Sequence, residues 1–187
     1  MGTAITSILK IKEIQIKDLA NKILVVDGQN MLYQFLTTIR QQDGSLLTDS
    51  KGRVTSHLIG LISRVTNFLG KKLKLVFVFD GEAPELKHKE LQKRKEGKIH
   101  AEKQYEEAKS AKNIEDMKKF AGRTTRLTKE MVAEATLLLK AMGIPVIQAP
   151  SEGECQASHM VQEEMPMQLS VKMQIHWFLV QQELSVI

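Results

Sequence analysis

A chain of 187 residues is long enough to bury one α/β core and too short for two comfortable ones. Its balance of 42% apolar and 26% charged residues excludes wholesale disorder, and a net charge of +5 with a pI of about 9.2 favours an anionic partner. Cys155 is the one cysteine, which excludes an internal disulfide; with no apolar run of transmembrane length and no signal-peptide pattern at the start, a cytoplasmic protein with no membrane role is expected. The opening Met1-Gly2-Thr3-Ala4-Ile5-Thr6 fits the loose myristoylation pattern, a match too short to carry weight.

In chain order, the first apolar run, Ile23-Leu24-Val25-Val26, reads as a buried strand and ends in Asp27-Gly28. A helical stripe follows in Met31, Leu32, Phe35, Leu36 and Ile39, and a second in Leu58, Leu61, Ile62, Val65, Phe68 and Leu69. Leu75-Val76-Phe77-Val78-Phe79 is a second buried strand, again ending in Asp-Gly at Asp80-Gly81. From Glu82 to about Lys129 the chain is rich in Lys, Arg and Glu, with weak helical periodicity. Spacings such as Glu85 to Lys89 and Glu106 to Lys109 suit solvated helices, so this stretch should project from the core. A further helix should start with Thr128 as N-cap, bury Met131, Val132, Ala135, Leu138, Leu139 and Met142, and stop at Gly143 before Pro145. Val146-Ile147 is a third strand. Strands alternating with helices imply a mostly parallel sheet with helices on its faces.

Ligands of such sheets collect outside the carboxyl ends of the strands, where Asp27 and Asp80 both fall. Either alone is an ordinary turn residue, but two on separate strands repel unless a cation holds them. After the third strand, Ala149-Pro150-Ser151-Glu152-Gly153-Glu154 adds two acids at a predicted helix start. Ser151 and Glu154 have capping-box spacing, which accounts for Glu154 and leaves Glu152 over. An oxygen-rich set of Asp27, Asp80, Glu152 and Glu154, without histidine or thiol, suits Mg²⁺ or Mn²⁺ rather than zinc, and such ions serve phosphodiester cleavage. No glycine-rich phosphate loop supports a nucleotide-binding domain instead.

Four stretches carry a family resemblance: Val25 to Leu36, Arg53 to Leu58, Val76 to Gly81 and Met142 to Glu154. In register, they resemble the flap endonucleases, most closely archaeal ones, from Met1 to about Val161. The resemblance implies a 5′-nuclease or PIN-like fold and structure-specific hydrolysis of DNA near the base of a 5′ flap, as in replication and repair, with two metal ions. It implies Asp27, Asp80, Glu152 and Glu154 as metal ligands, with Asp80 and Glu152 also counted as catalytic. Lys87 and Arg94 would face the scissile phosphate, and Tyr33 would stack on a DNA base. Gly2 would lie near the substrate, and the charged stretch over 82–129 would be the helical arch that the flap passes. Residues 1–161 would then be the nuclease domain.

From about Gln162 the likeness stops. The family continues with a strand and an Asp-x-Asp pair that completes the metal site, whereas Glu164 to Ile187 is rich in Met and Gln, and 162–187 reads as an aberrant tail. Joining the third base of each codon to the first two of the next, from Glu163, can encode Gly-Asp-Ala-Tyr-Ala-Ile-Val-Ser-Gln-Asp-Ala-Asp-Ser-Leu-Val-Phe-Gly-Ala-Thr-Arg-Val-Ile, which is the family's continuation. Five of the steps are forced by Met and Trp codons and all agree, so a shifted frame near 162–164 is expected. The expectation is a poorly packed tail, helical at most around Trp177, Phe178 and Leu179. It also includes the absence of the later DNA-binding helices and of the sliding-clamp-binding tail, and feeble cleavage at best. Two other readings use the same residues: a catalytically inert DNA-binding remnant, and a single-domain PIN-like ribonuclease.

Overall fold

The computed structural model describes residues 16–111, 114–162 and 167–170. Four parallel strands, β1 (Ile23–Asp27), β2 (Lys74–Phe79), β3 (Val146–Gln148) and β4 (Met167–Ser170), form one sheet in the order β3-β2-β1-β4. Helices α1 (Gly28–Thr38) and α2 (Ser56–Gly70) cross from β1 to β2. Helices α3 (His88–Ser110), α4 (Ile114–Ala121) and α5 (Lys129–Ala141) lie between β2 and β3, and α6 (Gly153–Gln162) follows β3. No described helix is long and apolar enough to cross a membrane.

Side chains alternate across the pleat, so each continuous apolar run feeds two cores. Leu24, Val26, Leu75, Phe77 and Phe79 face one side, where Leu32 and Phe35 of α1, Leu61, Val65 and Phe68 of α2, and Ala135 and Leu139 of α5 bury them. Val25, Val76 and Val78 face the other side and meet Ala157 and Met160 of α6. The carboxyl ends of β1, β2 and β3 thus share one rim, in a register that sets Asp27 opposite Val78 and Phe79 opposite Gln148.

The helix stripes hold with one correction. In α2, Leu61, Val65 and Phe68 are buried, but Ile62 and Leu69 are exposed, because the helix lies on a flat sheet and only one side of it is covered. Helix α5 starts and stops as its sequence predicts. Thr128 Oγ1 accepts from the Met131 amide at 3.3 Å, and beyond Met142 a left-handed Gly143 lets Ile144 N reach Leu139 O at 3.0 Å. His57, fully buried on α2, has Nε2 3.4 Å from the carboxylate of Glu134 on α5, and burial pushes the imidazole's pKa down.

The charged stretch folds as two helices, α3 and α4, packed on each other with Ala101, Ala108 and Ala121 buried. The ion pair along α3 is Glu90 with Arg94; among the described residues the expected pairs Glu85–Lys89 and Glu106–Lys109 are not made. This unit is anchored at its base through Arg40, whose Nη2 donates to Thr125 Oγ1 at 2.5 Å and whose Nη1 donates to Gly44 O at 2.7 Å.

A second correction concerns the tail. The sequence reading has no strand after α6, yet 167–170 pair with Ile23–Val26 and cover that edge of the sheet. Parallel pairing uses main-chain groups that any sequence carries, so a side-chain pattern gives little notice of it. The helix expected around Trp177 lies outside the described residues.

Candidate active site

At the rim, Asp27 ends β1 and also caps α1, its Oδ1 accepting from the Asn30 amide at 2.9 Å. Asp80 follows β2 by one residue. Its Oδ1 accepts from the Gly153 amide at 2.7 Å, so it caps a helix that begins 73 residues later in the chain. The capping box read at Ser151 and Glu154 is therefore replaced: the Ser151 hydroxyl donates to Glu82 O at 3.0 Å, and Asp80 serves the amino end of α6. That arrangement leaves Glu154 on the first turn without a capping duty.

The two Asp-Gly pairs are not left-handed turns, since neither glycine has a positive φ. They are close approaches. A Cβ on Gly28 would stand 2.5 Å from the Phe79 ring, and one on Gly81 would stand 2.2 Å from Ala149 O. Gly81 N donates to Ser151 O at 2.6 Å and Ala149 N to Phe79 O at 2.8 Å, stitching the end of β2 to the loop that carries Glu152.

The electrostatics join the acids. Asp27's carboxyl is pushed up to about 6, first by burial and then by the negative charges of Asp80 and Glu154, against the opposing pull of the Asn30 amide. Glu152 is held by Lys87, whose ammonium pairs with Oε2 and whose pKa is raised by that hydrogen bond and by the nearby charges of Glu152 and Glu154. Lys87 therefore reaches the acidic rim from the start of α3. Arg94, two turns further on, is turned to Glu90. Among the described residues no three Asp, Glu, His or Cys side chains converge as one closed coordination shell. The donor chemistry nonetheless fits a hard cation: the charges of Asp80 and Glu154 reach Asp27 and raise its cost of ionisation, and the acids at this rim offer oxygen ligands.

Tyr33 is half-buried on α1. By helical rise it stands about 9 Å along the axis from Asp27. Gly2 lies outside the described residues. The residues that sequence reasoning missed are Lys98, which approaches the Tyr33 ring from α3, and Arg40 and Arg126 near it. Lys98 meets Tyr33, Arg40 meets Thr125 and Arg126 meets Glu102 across long sequence separations, which no local signal discloses.

A parallel α/β sheet thus carries acids at its carboxyl rim, with Lys87 at the start of the charged helical pair set against one of them. The family model for the XPG N-terminal domain matches residues 2–103, and the chain belongs to that family. Flap endonuclease 1 of Pyrococcus furiosus is 49% identical over 160 residues, covering 86% of this chain and 47% of the relative. The solved structure of flap endonuclease-1 from Methanococcus jannaschii superposes with a TM-score of 0.62 at 40% identity, covering 87% of this chain and 52% of the other. The catalytic core of Rad2 in complex with DNA substrate gives a TM-score of 0.51 at 26% identity, covering 81% of this chain and 38% of that one. The chain thus spans about half the length of the relatives it matches.

Proposed function

We propose that this chain is the amino-terminal nuclease part of a flap endonuclease, acting on DNA that carries a 5′ single-stranded flap. One observation carries the reading: Asp27, Asp80 and Glu154 are electrostatically joined at one rim, with Lys87 drawn in from α3 against Glu152. Asp27, Asp80, Glu152 and Glu154 would hold Mg²⁺ or Mn²⁺, which supplies water activation and charge neutralisation when bound. Lys87, and Arg94 once released from Glu90, bring positive charge to a phosphate at that rim. Tyr33 offers an aromatic face to an unpaired base. Helices α3 and α4 are the arch beside which the flap runs, and Lys87 at the base of α3 makes arch and rim one unit.

The tail limits what the chain does by itself. Strand β4 lies where the shifted reading frame would place Ala-Ile-Val-Ser, and it runs parallel to β1 toward the same rim. The Asp-x-Asp of that frame would follow one residue later, but here Val171 to His176 carry no carboxylate. We therefore read 162–187 as a frame-shifted segment. Sequencing the coding DNA tests it: a gene without the alternate reading downstream of codon 162 removes the idea.

With Mg²⁺, the chain is expected to bind 5′-flap DNA in a salt-sensitive manner and to cleave it at least roughly 100-fold more slowly than a full-length relative, given what losing transition-state charge stabilisation costs. Cleavage at the relative's rate would refute the incomplete site, and equal affinity for flap and plain duplex would refute the flap reading. Binding with no detectable cleavage would favour the second reading, an inert DNA-binding remnant, to which the absence of a closed acid cluster among the described residues points. Cleavage of single-stranded RNA in preference to flap DNA would instead select a ribonuclease.

A further inference from the structure

Helix α3 touches α1 through one aromatic contact. The ammonium of Lys98 sits 5.5 Å from the centroid of the Tyr33 ring, within the range of a cation–π interaction. Lys98 is partly buried, and its surroundings are cationic: Arg126 and Arg94 both stand near it, and together with burial they lower its pKa. The carboxylate close to it, Glu102, is already engaged by Arg126 Nη2 at 2.7 Å. Beside Glu102, the ring face is a favourable partner for this ammonium. Tyr33 is itself half-buried, and Lys98 lies over one face of its ring.

We propose that Lys98 is an internal placeholder for a nucleobase, covering in the DNA-free chain the face of Tyr33 on which an unpaired base stacks. This rests on the reading that flap DNA reaches Tyr33. A cation and a base both bind the π-face of the ring, and one face holds one of them at a time. Base stacking is generally the stronger contact, so an arriving base displaces the lysine. Displacement frees α3 from α1 at this point, so stacking a base and releasing the arch from the body become one event. A flap lacking a base at that position leaves the contact closed.

The test is a coupling measurement. Binding of 5′-flap DNA and of the same junction carrying an abasic nucleotide at the branch is compared in Ca²⁺, for the parent chain, Lys98→Ala and Tyr33→Leu. The parent should bind the abasic junction more weakly, and in Lys98→Ala this abasic penalty should grow about threefold, the factor that a partly exposed cation–π contact corresponds to. A penalty unchanged or smaller in Lys98→Ala overturns the placeholder while leaving stacking intact. A penalty that persists in Tyr33→Leu overturns the stacking reading itself. No binding at any concentration overturns both. An independent readout uses proton spectra of the parent: the Lys98 Cε protons should be shifted upfield by the ring in the free chain and should lose that shift with flap DNA. Retention of the shift at saturation, or its absence in the free chain, also overturns the placeholder.

Discussion

Asp27→Asn should make the protein more stable at about pH 8 while removing its thermal response to Mg²⁺. Asparagine caps a helix about as well as aspartate, so the bond to the Asn30 amide survives the change. What disappears is a carboxylate raised to about 6 by burial and by Asp80 and Glu154. Its folded-state pKa lies above the ordinary value of 3.8, so the folded chain holds the proton more tightly than the unfolded one. The parent therefore loses stability as pH rises from about 4 through about 6, and carries the full penalty above that. The difference corresponds to something on the order of 2 kcal/mol, or a gain of roughly 4–8 °C in Tm for the variant at pH 8, fading to nothing near pH 4. Divalent cations should raise the parent's Tm through mass action at pH 8 and progressively less below pH 6, and should leave the variant nearly unmoved. A variant that melts below the parent at pH 8 would show that the acids are not crowded.

Gly81→Ala should be the most damaging small substitution at the rim. Its new Cβ would stand 2.2 Å from Ala149 O and 2.7 Å from the Pro150 carbonyl, all main-chain atoms with no flexible end to swing aside. A loss of about 1–3 kcal/mol is expected, several degrees in Tm, with the Gly81 N to Ser151 O bond and the placement of Asp80 disturbed together. Gly97→Ala is the internal comparison: it lies within α3, with open space where the methyl would go, and should be neutral or stabilising by up to about 1 kcal/mol. Equal Tm values for the two variants would contradict the clash.

The contrast between these glycines also marks what the sequence could disclose. Thr128 and Gly143 announce the limits of α5 because caps are local, written within a few residues of the bonds they make. The runs ending at Asp27 and Asp80 announce β1 and β2 because strands buried on both faces must be continuously apolar. The acids were legible for the same reason, as polar residues where such runs stop. Illegible were the relations between distant segments: Asp80 rather than Ser151 capping α6, Lys87 against Glu152, Lys98 against Tyr33, and β4 beside β1. The outward turn of Ile62 and Leu69 belongs with these, since a helical stripe shows which residues share a side but not how wide a band the neighbour covers.

Strand β4 completes the sheet with four residues held through the backbone of β1. Should they peel away, Ile23 to Val26 would become an open parallel edge lined by Leu24, Val25 and Val26, a ready template for a strand from another molecule. Loss of solubility on warming should therefore begin at the β1 border, ahead of global unfolding, and its onset should depend on protein concentration.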